Sequence, residues 1–179
     1  MATARSRKLV RTASVTALGI AALLVHSAPL GISADARALP DLLYLLLAAW
    51  ILRRPDTAPL WLVALLGIGA DVLLGGPMGL GAATLLLGTE FLRMQARTQA
   101  DRPFALEWLM VALVYAAMLF GRYIALKLSF APVSAMSVYL WHLVQTALVY
   151  PLMVLALRFG MRLRTPGAVG GPDRLGRVP

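Results

Sequence analysis

The sequence contains no cysteine and few charged residues, and both shortages narrow what the protein can be. Without cysteine there is no disulfide, no thiolate nucleophile and no cysteine-ligated metal. Charged residues make up 14% of the 179 residues, against about 25% in a soluble domain, and only 8 residues are acidic. Hydrophobic residues make up 60%, and the mean hydropathy is +0.77. This composition predicts a protein that resides in a lipid bilayer.

Apolar runs that approach the spanning length of a helix, about 17 to 25 residues, follow one another along the chain. Six of them, separated by charges or Gly/Pro turns, cover residues 12–32, 36–52, 59–74, 79–92, 104–126 and 133–157. The second and fourth are short. The sequence therefore predicts an all-α polytopic membrane protein with six transmembrane helices. Residues 1–165 are expected to form a single membrane domain, and residues 166–179 a flexible cytoplasmic tail rich in glycine and proline.

The positions of arginine and lysine predict how these helices are oriented. With the N-terminus in the cytoplasm, fourteen of the 17 basic residues fall on the cytoplasmic side, and only Arg37, Arg122 and Lys127 lie near the outer side. Three of the four tryptophans, among them Trp50, then fall near the inner interface, where an indole prefers to sit. Both termini are therefore expected in the cytoplasm. Since topology accounts for the net charge of +9, nucleic acid is not an expected partner.

The N-terminal segment has an alternative interpretation as a cleaved signal peptide. A basic start, an apolar run to Val25 and the Ala-Asp-Ala triplet at 34–36 imitate such a peptide and its cleavage site. The apolar run continues past Pro29 to a length that can span a bilayer, which favours a retained first helix.

Small residues recur along two of the predicted helices. Ala13, Ala17 and Ala21 repeat every four residues in the first helix, and Ala117 and Gly121 have the same spacing in the fifth. Such faces let another helix approach closely, so both are candidate surfaces for helix packing.

Three ionisable residues fall inside the predicted helices at similar depth. His26, Asp71 and Arg122 are all expected in the outer half of the bilayer. A charge at membrane depth costs about 2.5–3.5 kcal/mol on insertion scales, so each residue needs a partner or a function. The two interpretations are an interhelical ion pair that fixes helix packing and a protonatable cluster at an occluded site. The ion pair is favoured.

The sixth helix has one polar face. Tyr139, His142 and Thr146 share this face, which favours interhelical hydrogen bonds over a ligand-binding wall. Pro151 is expected to bend the helix by freeing the carbonyl group of Ala147.

The remaining polar residues have ordinary structural explanations. Asp41 and Glu107 follow prolines at predicted helix starts, where an acid interacts favourably with the helix dipole. Glu90 and Arg93 form an i, i+3 pair. The chain has no Gly-x-Ser-x-Gly, His-Glu-x-x-His or Gly-Lys-Ser/Thr motif, and its 2 histidines are too few for a metal site. We expect neither enzymatic activity nor a cofactor.

The most informative segment runs from residue 67 to 80, Gly-Ile-Gly-Ala-Asp-Val-Leu-Leu-Gly-Gly-Pro-Met-Gly-Leu. Together with the preceding Pro-Asp pair, it resembles the MreD family of bacterial rod-shape-determining membrane proteins. The family pattern is Pro-Asp, an apolar stretch, Gly-x-x-x-Asp and then Gly-x-Pro-x-Gly. The resemblance covers residues 40–92, and its matching positions are Pro40, Asp41, Gly67, Asp71, Gly75, Pro77 and Gly79.

This resemblance implies a non-enzymatic scaffold in the bacterial inner membrane that acts in cell-wall elongation and rod-shape determination. The implied partner is a bitopic MreC-like protein, beside the elongation synthase and transpeptidase and the actin-like MreB. His26, Arg122 and His142 lie outside the matching part and inherit no family role.

The matching residues also have a physical interpretation. The glycines allow a tight turn after the third helix, and Asp71, one turn earlier, is expected to accept hydrogen bonds from amides of the turn or of the fourth helix.

A second class of function stays open, a small-molecule-binding membrane subunit of a transporter, like the substrate-binding components of vitamin transporters. Such a subunit needs an enclosed cavity with converging polar groups, whereas a scaffold can fill its interior with leucine and methionine.

Overall fold

The computed structural model describes residues 2–27, 39–98, 103–130 and 133–161. Helices make up 87% of these residues, which contain no strand, so the all-α prediction is confirmed. The helices are α1 (Ala2–Ser27), α2 (Leu42–Arg53), α3 (Leu60–Leu73), α4 (Leu80–Thr98), α5 (Phe104–Leu128) and α6 (Met136–Met161), with a 3-10 turn at Pro55–Thr57 between α2 and α3.

Three helices are long and apolar enough to cross a membrane. Their apolar segments are Lys8–Ser27 in α1, Phe104–Leu128 in α5 and Met136–Phe159 in α6. By contrast, α2 and α3 are apolar but have only 12 and 14 residues, and α4 carries charges in its second half.

The helix boundaries differ from the apolar runs at several ends. α1 begins ten residues before its apolar run, and α4 continues six residues beyond its own. Hydropathy misses these turns because their arginine, lysine and glutamine residues are good helix formers but are not apolar. α2 begins after Pro40, since Asp41 caps it. The triplet at 34–36 and the predicted tail at 166–179 lie outside the described residues.

Helix α2 is the centre of the bundle. Every residue from 43 to 51 is buried, and the helix packs against α1, α4 and α6. Around it, α3 packs between α1 and α4, and α5 packs between α4 and α6. A helix that is apolar on all sides is expected to be buried at the centre of a bundle.

The tryptophan of α2 corrects one expectation. Trp50 is only 1% exposed, and its indole Nε1 donates a hydrogen bond of 2.8 Å to Oγ1 of Thr57. It is therefore a core residue and not an interface residue. Trp61 and Trp108 are 60% and 38% exposed on the outside of the bundle.

Helices α3 and α4 approach most closely at Gly67. A Cβ atom added there would lie 2.8 Å from the Cα of Ala82, which is closer than real atoms allow. The motif glycine therefore allows direct contact between two helix backbones.

Candidate functional site

The turn between α3 and α4 is organised by Asp71. Gly75 and Gly79 adopt positive φ angles of 65° and 88°, which glycine tolerates without strain. Oδ2 of Asp71 accepts hydrogen bonds from the backbone N–H groups of Gly79, at 2.9 Å, and Ala82, at 3.1 Å. The expected hydrogen bonds are thus confirmed, and they satisfy two amides at the start of α4 that have no partner within the helix.

Two further glycines make room for charged groups beside this turn. A Cβ on Gly81 would collide with Oδ1 of Asp71. A Cβ on Gly76 would lie 2.9 Å from Nη2 of Arg122 and 3.7 Å from Oδ1 of Asp71. The sequence predicts Gly76 only as a turn glycine, and no pattern in it indicates the contact of Gly76 with Arg122 or that of Gly81 with Asp71.

A cavity of about 700 Å³ opens beside the turn. It lies at the end of the bundle where α2, α4 and α6 begin and where α1, α3 and α5 end. Its apolar wall consists of leucines with Met118 and Val138, and its polar wall comprises His26, Asp41, Asp71, Tyr115, Arg122, Tyr139 and His142.

The three ionisable residues singled out in the sequence all line this cavity. Within the described ranges, however, His26, Asp71 and Arg122 form no ion pair with one another. The favoured interhelical ion pair is therefore wrong, because the Asp71 carboxylate binds the amides of α4 instead. Arg122 makes no ion pair and no hydrogen bond with any described residue.

The polar face of α6 points to the bundle interior. Nδ1 of His142 and the hydroxyl of Tyr115 share a hydrogen bond of 2.8 Å, and the backbone N–H of Asp41 donates to Oγ1 of Thr146 at 3.2 Å. The edge of the Tyr139 ring packs against Tyr123. The expected interhelical hydrogen bonds are confirmed for His142 and Thr146, while Tyr139 and His142 also face the cavity.

A second polar cluster lies at the opposite end of the bundle. Nη2 of Arg53 forms a 3.0 Å ion pair with Oε1 of Glu107, and the Tyr150 hydroxyl donates to the same oxygen at 2.5 Å. Arg53 is 5% exposed and also donates to the carbonyl of Ala49. Glu107 is thus part of a buried interhelical cluster rather than only a helix-start acid. The two partners lie 54 residues apart, and no sequence pattern links them.

Near this cluster, the pair of Glu90 and Arg93 is confirmed at 3.6 Å. Arg93 is buried, and its Nη2 donates to the carbonyl of Ala58 at 2.6 Å, which ties α4 to the segment before α3.

An apolar groove of about 790 Å³ runs between α4 and α5 on the outside of the bundle. Ala117 and Gly121 line it, and a Cβ on Gly121 would meet no atom within 4 Å. Leu87 and Leu113 flank the groove and are 74% and 61% exposed. The small-residue face of α5 is therefore open.

The other small-residue face is open too. Ala13, Ala17 and Ala21 are exposed, while α1 packs on the bundle through Val15 and Leu23.

Comparison of the chain with protein-family models, with characterised proteins and with solved structures found no match. The resemblance to the MreD family therefore depends on the motif residues alone.

Proposed function

We propose that the protein is a non-enzymatic scaffold in the bacterial inner membrane, with six membrane-spanning helices and both termini in the cytoplasm. In this proposal it acts in cell-wall elongation and rod-shape determination, as the MreD family does. Its direct partner is an MreC-like protein with a single transmembrane helix, which brings it near the elongation synthase, the transpeptidase and MreB.

The groove between α4 and α5 is the main observation that supports this proposal. Lipid tails are as apolar as leucine, so helices associate in a membrane through close van der Waals packing rather than through the hydrophobic effect. Ala117 and Gly121 offer such packing because nothing in the bundle covers them. A partner helix seated here would contact the backbone of α5 and the exposed side chains of Leu87 and Leu113.

The six-helix topology is supported by the two polar clusters. Successive helices start at alternate ends of the bundle, with the polar cavity at one end and the pair of Arg53 and Glu107 at the other. The ends of α2, α4 and α6 at the ion-pair end carry several described arginines, as expected for a cytoplasmic side: Arg53, Arg54, Arg93, Arg97 and Arg158.

The Asp71 turn supports the resemblance itself. Four of the seven motif positions belong to one local structure, in which Gly75 and Gly79 allow the turn and Asp71 caps α4. Gly67 lets the two helices of the hairpin touch. Motif residues that act together in one structure support the resemblance to the MreD family more strongly than a similar hydropathy profile would.

Substituting Gly121 with leucine tests the groove. Gly121→Leu should fill the site and reduce recovery of the MreC-like partner about tenfold or more in a pull-down, and rod shape should be lost in a host without its own MreD. The protein should still insert, because leucine is at least as apolar as glycine.

Ala17→Leu is the matched control, since it adds similar bulk to an exposed small residue on α1. Full partner recovery and normal rods with Gly121→Leu would exclude the groove. Loss of recovery with Ala17→Leu alone would move the interface to α1.

The polar cavity favours a second candidate function, a small-molecule-binding membrane subunit. Polar groups from five helices converge on about 700 Å³ of space, which is the feature that distinguishes this class from a filled bundle. Native mass spectrometry of the protein purified from its own membrane tests this candidate. A bound small molecule supports it, and ligand-free protein contradicts it.

A further inference from the structure

We propose that the polar cavity binds a small zwitterion, a molecule that carries both an acidic group and a protonated amine. This inference rests on the second candidate function and is independent of the scaffold proposal. It follows from two oppositely charged side chains in the cavity that do not neutralise each other.

Arg122 is suited to bind the acidic group of the ligand. Its Nη2 would lie 2.9 Å from a Cβ added to Gly76, and its guanidinium has no ion-pair or hydrogen-bond partner among the described residues. A guanidinium remains charged at any physiological pH, and its planar donors match a carboxylate or a phosphate in two parallel hydrogen bonds. An ionisable side chain inside a membrane bundle indicates a functional site by default, and Arg122 forms no ion pair with a described residue, although Oδ1 of Asp71 lies on the same side of Gly76.

Asp41 is suited to bind the protonated amine of the ligand. Its Oδ1 accepts the N–H of Tyr44 at 2.9 Å as the N-cap of α2, while its Oδ2 accepts no hydrogen bond in the described part of the chain. Asp71 is less suited to this role. Its Oδ2 already accepts two amides, and its Oδ1 is enclosed by Gly76 and Gly81.

A zwitterion fits the cavity better than a ligand with one charge. A simple anion would neutralise Arg122 but leave Asp41 unpaired, and a simple amine would do the reverse, whereas one molecule with both groups satisfies both side chains. The volume of about 700 Å³ is typical of ligand pockets. Leucines and Met118 offer apolar surface for the body of the ligand, and Tyr139 also lines the cavity.

Two sources of this chemistry exist. One is a free molecule of the amino-acid type, and the other is the phosphate and amine of an ethanolamine phospholipid headgroup. Both present an acidic group and an ammonium a few bonds apart.

The test uses the full chain in nanodiscs of phosphatidylglycerol, a lipid without an amine, and measures binding by isothermal titration calorimetry. L-phenylalanine, 3-phenylpropanoate and 2-phenylethylamine have the same ring and differ in charge, and glycerophosphoethanolamine represents the lipid headgroup. We expect at least one zwitterion to bind about tenfold or more tightly than both single-charge probes.

Two variants connect binding to the cavity. Arg122→Gln and Asp41→Asn should each weaken zwitterion binding about tenfold or more. Asn caps a helix as well as Asp does, so Asp41→Asn keeps α2 folded. Lys127→Gln and Asp56→Asn are matched controls, because they remove the same charges from exposed residues outside the cavity, and they should leave binding unchanged.

The outcomes separate the possibilities. Tight binding of L-phenylalanine alone assigns a free ligand, and tight binding of glycerophosphoethanolamine alone assigns a lipid headgroup. Equal binding of a single-charge probe, lost in the cavity variants, would overturn the zwitterion class while keeping the ligand-binding function. If no probe binds, or if both cavity variants bind as the wild type does, the proposal is wrong. The partner pull-down is unaffected by any of these results.

Discussion

Asp71 shows how a buried carboxylate is stabilised by backbone amides although it forms no ion pair with a described residue. It is 4% exposed, and its Oδ2 accepts hydrogen bonds from two backbone amides at the start of α4. The positive end of the helix dipole points at the same oxygen. Hydrogen bonding therefore explains this residue better than an ion pair does.

Substitution of Asp71 separates its charge from its hydrogen-bonding capacity. Asp71→Leu leaves the buried amide of Ala82 and the part-buried amide of Gly79 unpaired and should lower the free energy of unfolding by about 2 to 4 kcal/mol. Asp71→Asn keeps a carbonyl oxygen as acceptor, so we expect a loss of about 1 kcal/mol. Unfolding in detergent, followed by tryptophan fluorescence, measures both values.

Equal damage by Asn and Leu would mean that the charge itself matters. A double-mutant cycle with Arg122→Gln would then measure the coupling between the two residues.

The cluster of Arg53, Glu107 and Tyr150 is the counterpart of Asp71 at the other end of the bundle. Its carboxylate is neutralised by a guanidinium and also accepts a hydroxyl hydrogen bond, so every partner is satisfied. Buried pairs of this kind fix which helices meet more than they add stability. Here the cluster joins α2, α5 and α6.

At the scale of elements, the backbones of α3 and α4 come into direct contact in one hairpin. Gly67 is the contact point, because the backbone of Ala82 occupies the space that a side chain would need. Packing at this distance gives both helices extensive van der Waals contact. This contact matters because α3 is short, with only 14 residues.

Two glycines on α3 make a matched test of this contact. Gly67→Ala must push α3 away from α4 and should cost about 1 to 3 kcal/mol of stability. Gly69→Ala meets only Leu23, at 3.6 Å, and should be neutral or stabilise the protein by up to about 1 kcal/mol through helix propensity. Melting temperatures of the two purified variants should therefore move in different directions, and equal shifts would contradict the close approach.

Helix α6 illustrates how a proline is accommodated within a helix. Pro151 cannot donate to the carbonyl of Ala147, and that carbonyl instead accepts a hydrogen bond of 2.8 Å from the indole Nε1 of Trp108. A neighbouring helix thus replaces the missing bond, as prolines in membrane helices require.

At the scale of the whole molecule, orientation is the main prediction. A green fluorescent protein fused at either terminus should fluoresce, and alkaline phosphatase fused there should be inactive, because both termini are expected in the cytoplasm. Phosphatase inserted after Phe130, between α5 and α6, should be active and serves as the control. Active phosphatase at Pro179, or a mature N-terminus near Arg37, would contradict this topology.

Interactions within one motif or one helix face were predictable from the sequence, and interactions between distant segments were not. The cap by Asp71 joins residues 8 and 11 positions apart within one motif, and the polar residues of α6 lie three to seven positions apart on one helix, so their spacing reveals them. The pair of Arg53 and Glu107 joins distant segments, and each residue alone resembles an ordinary interface charge. The open cavity was equally hidden, because the lengths and directions of the helices decide whether leucines fill the space beside Arg122.

The burial of α2 has a consequence for how the protein is made. Twelve residues extend about 18 Å, well short of the roughly 30 Å of a hydrocarbon core, so α2 is too short to anchor itself in a bilayer by its own length. Its packing surface is complete only when α6, which follows the other described helices in the chain, is present. A chain that stops before α6 therefore leaves one side of its central helix unpacked and recognisable to membrane quality control.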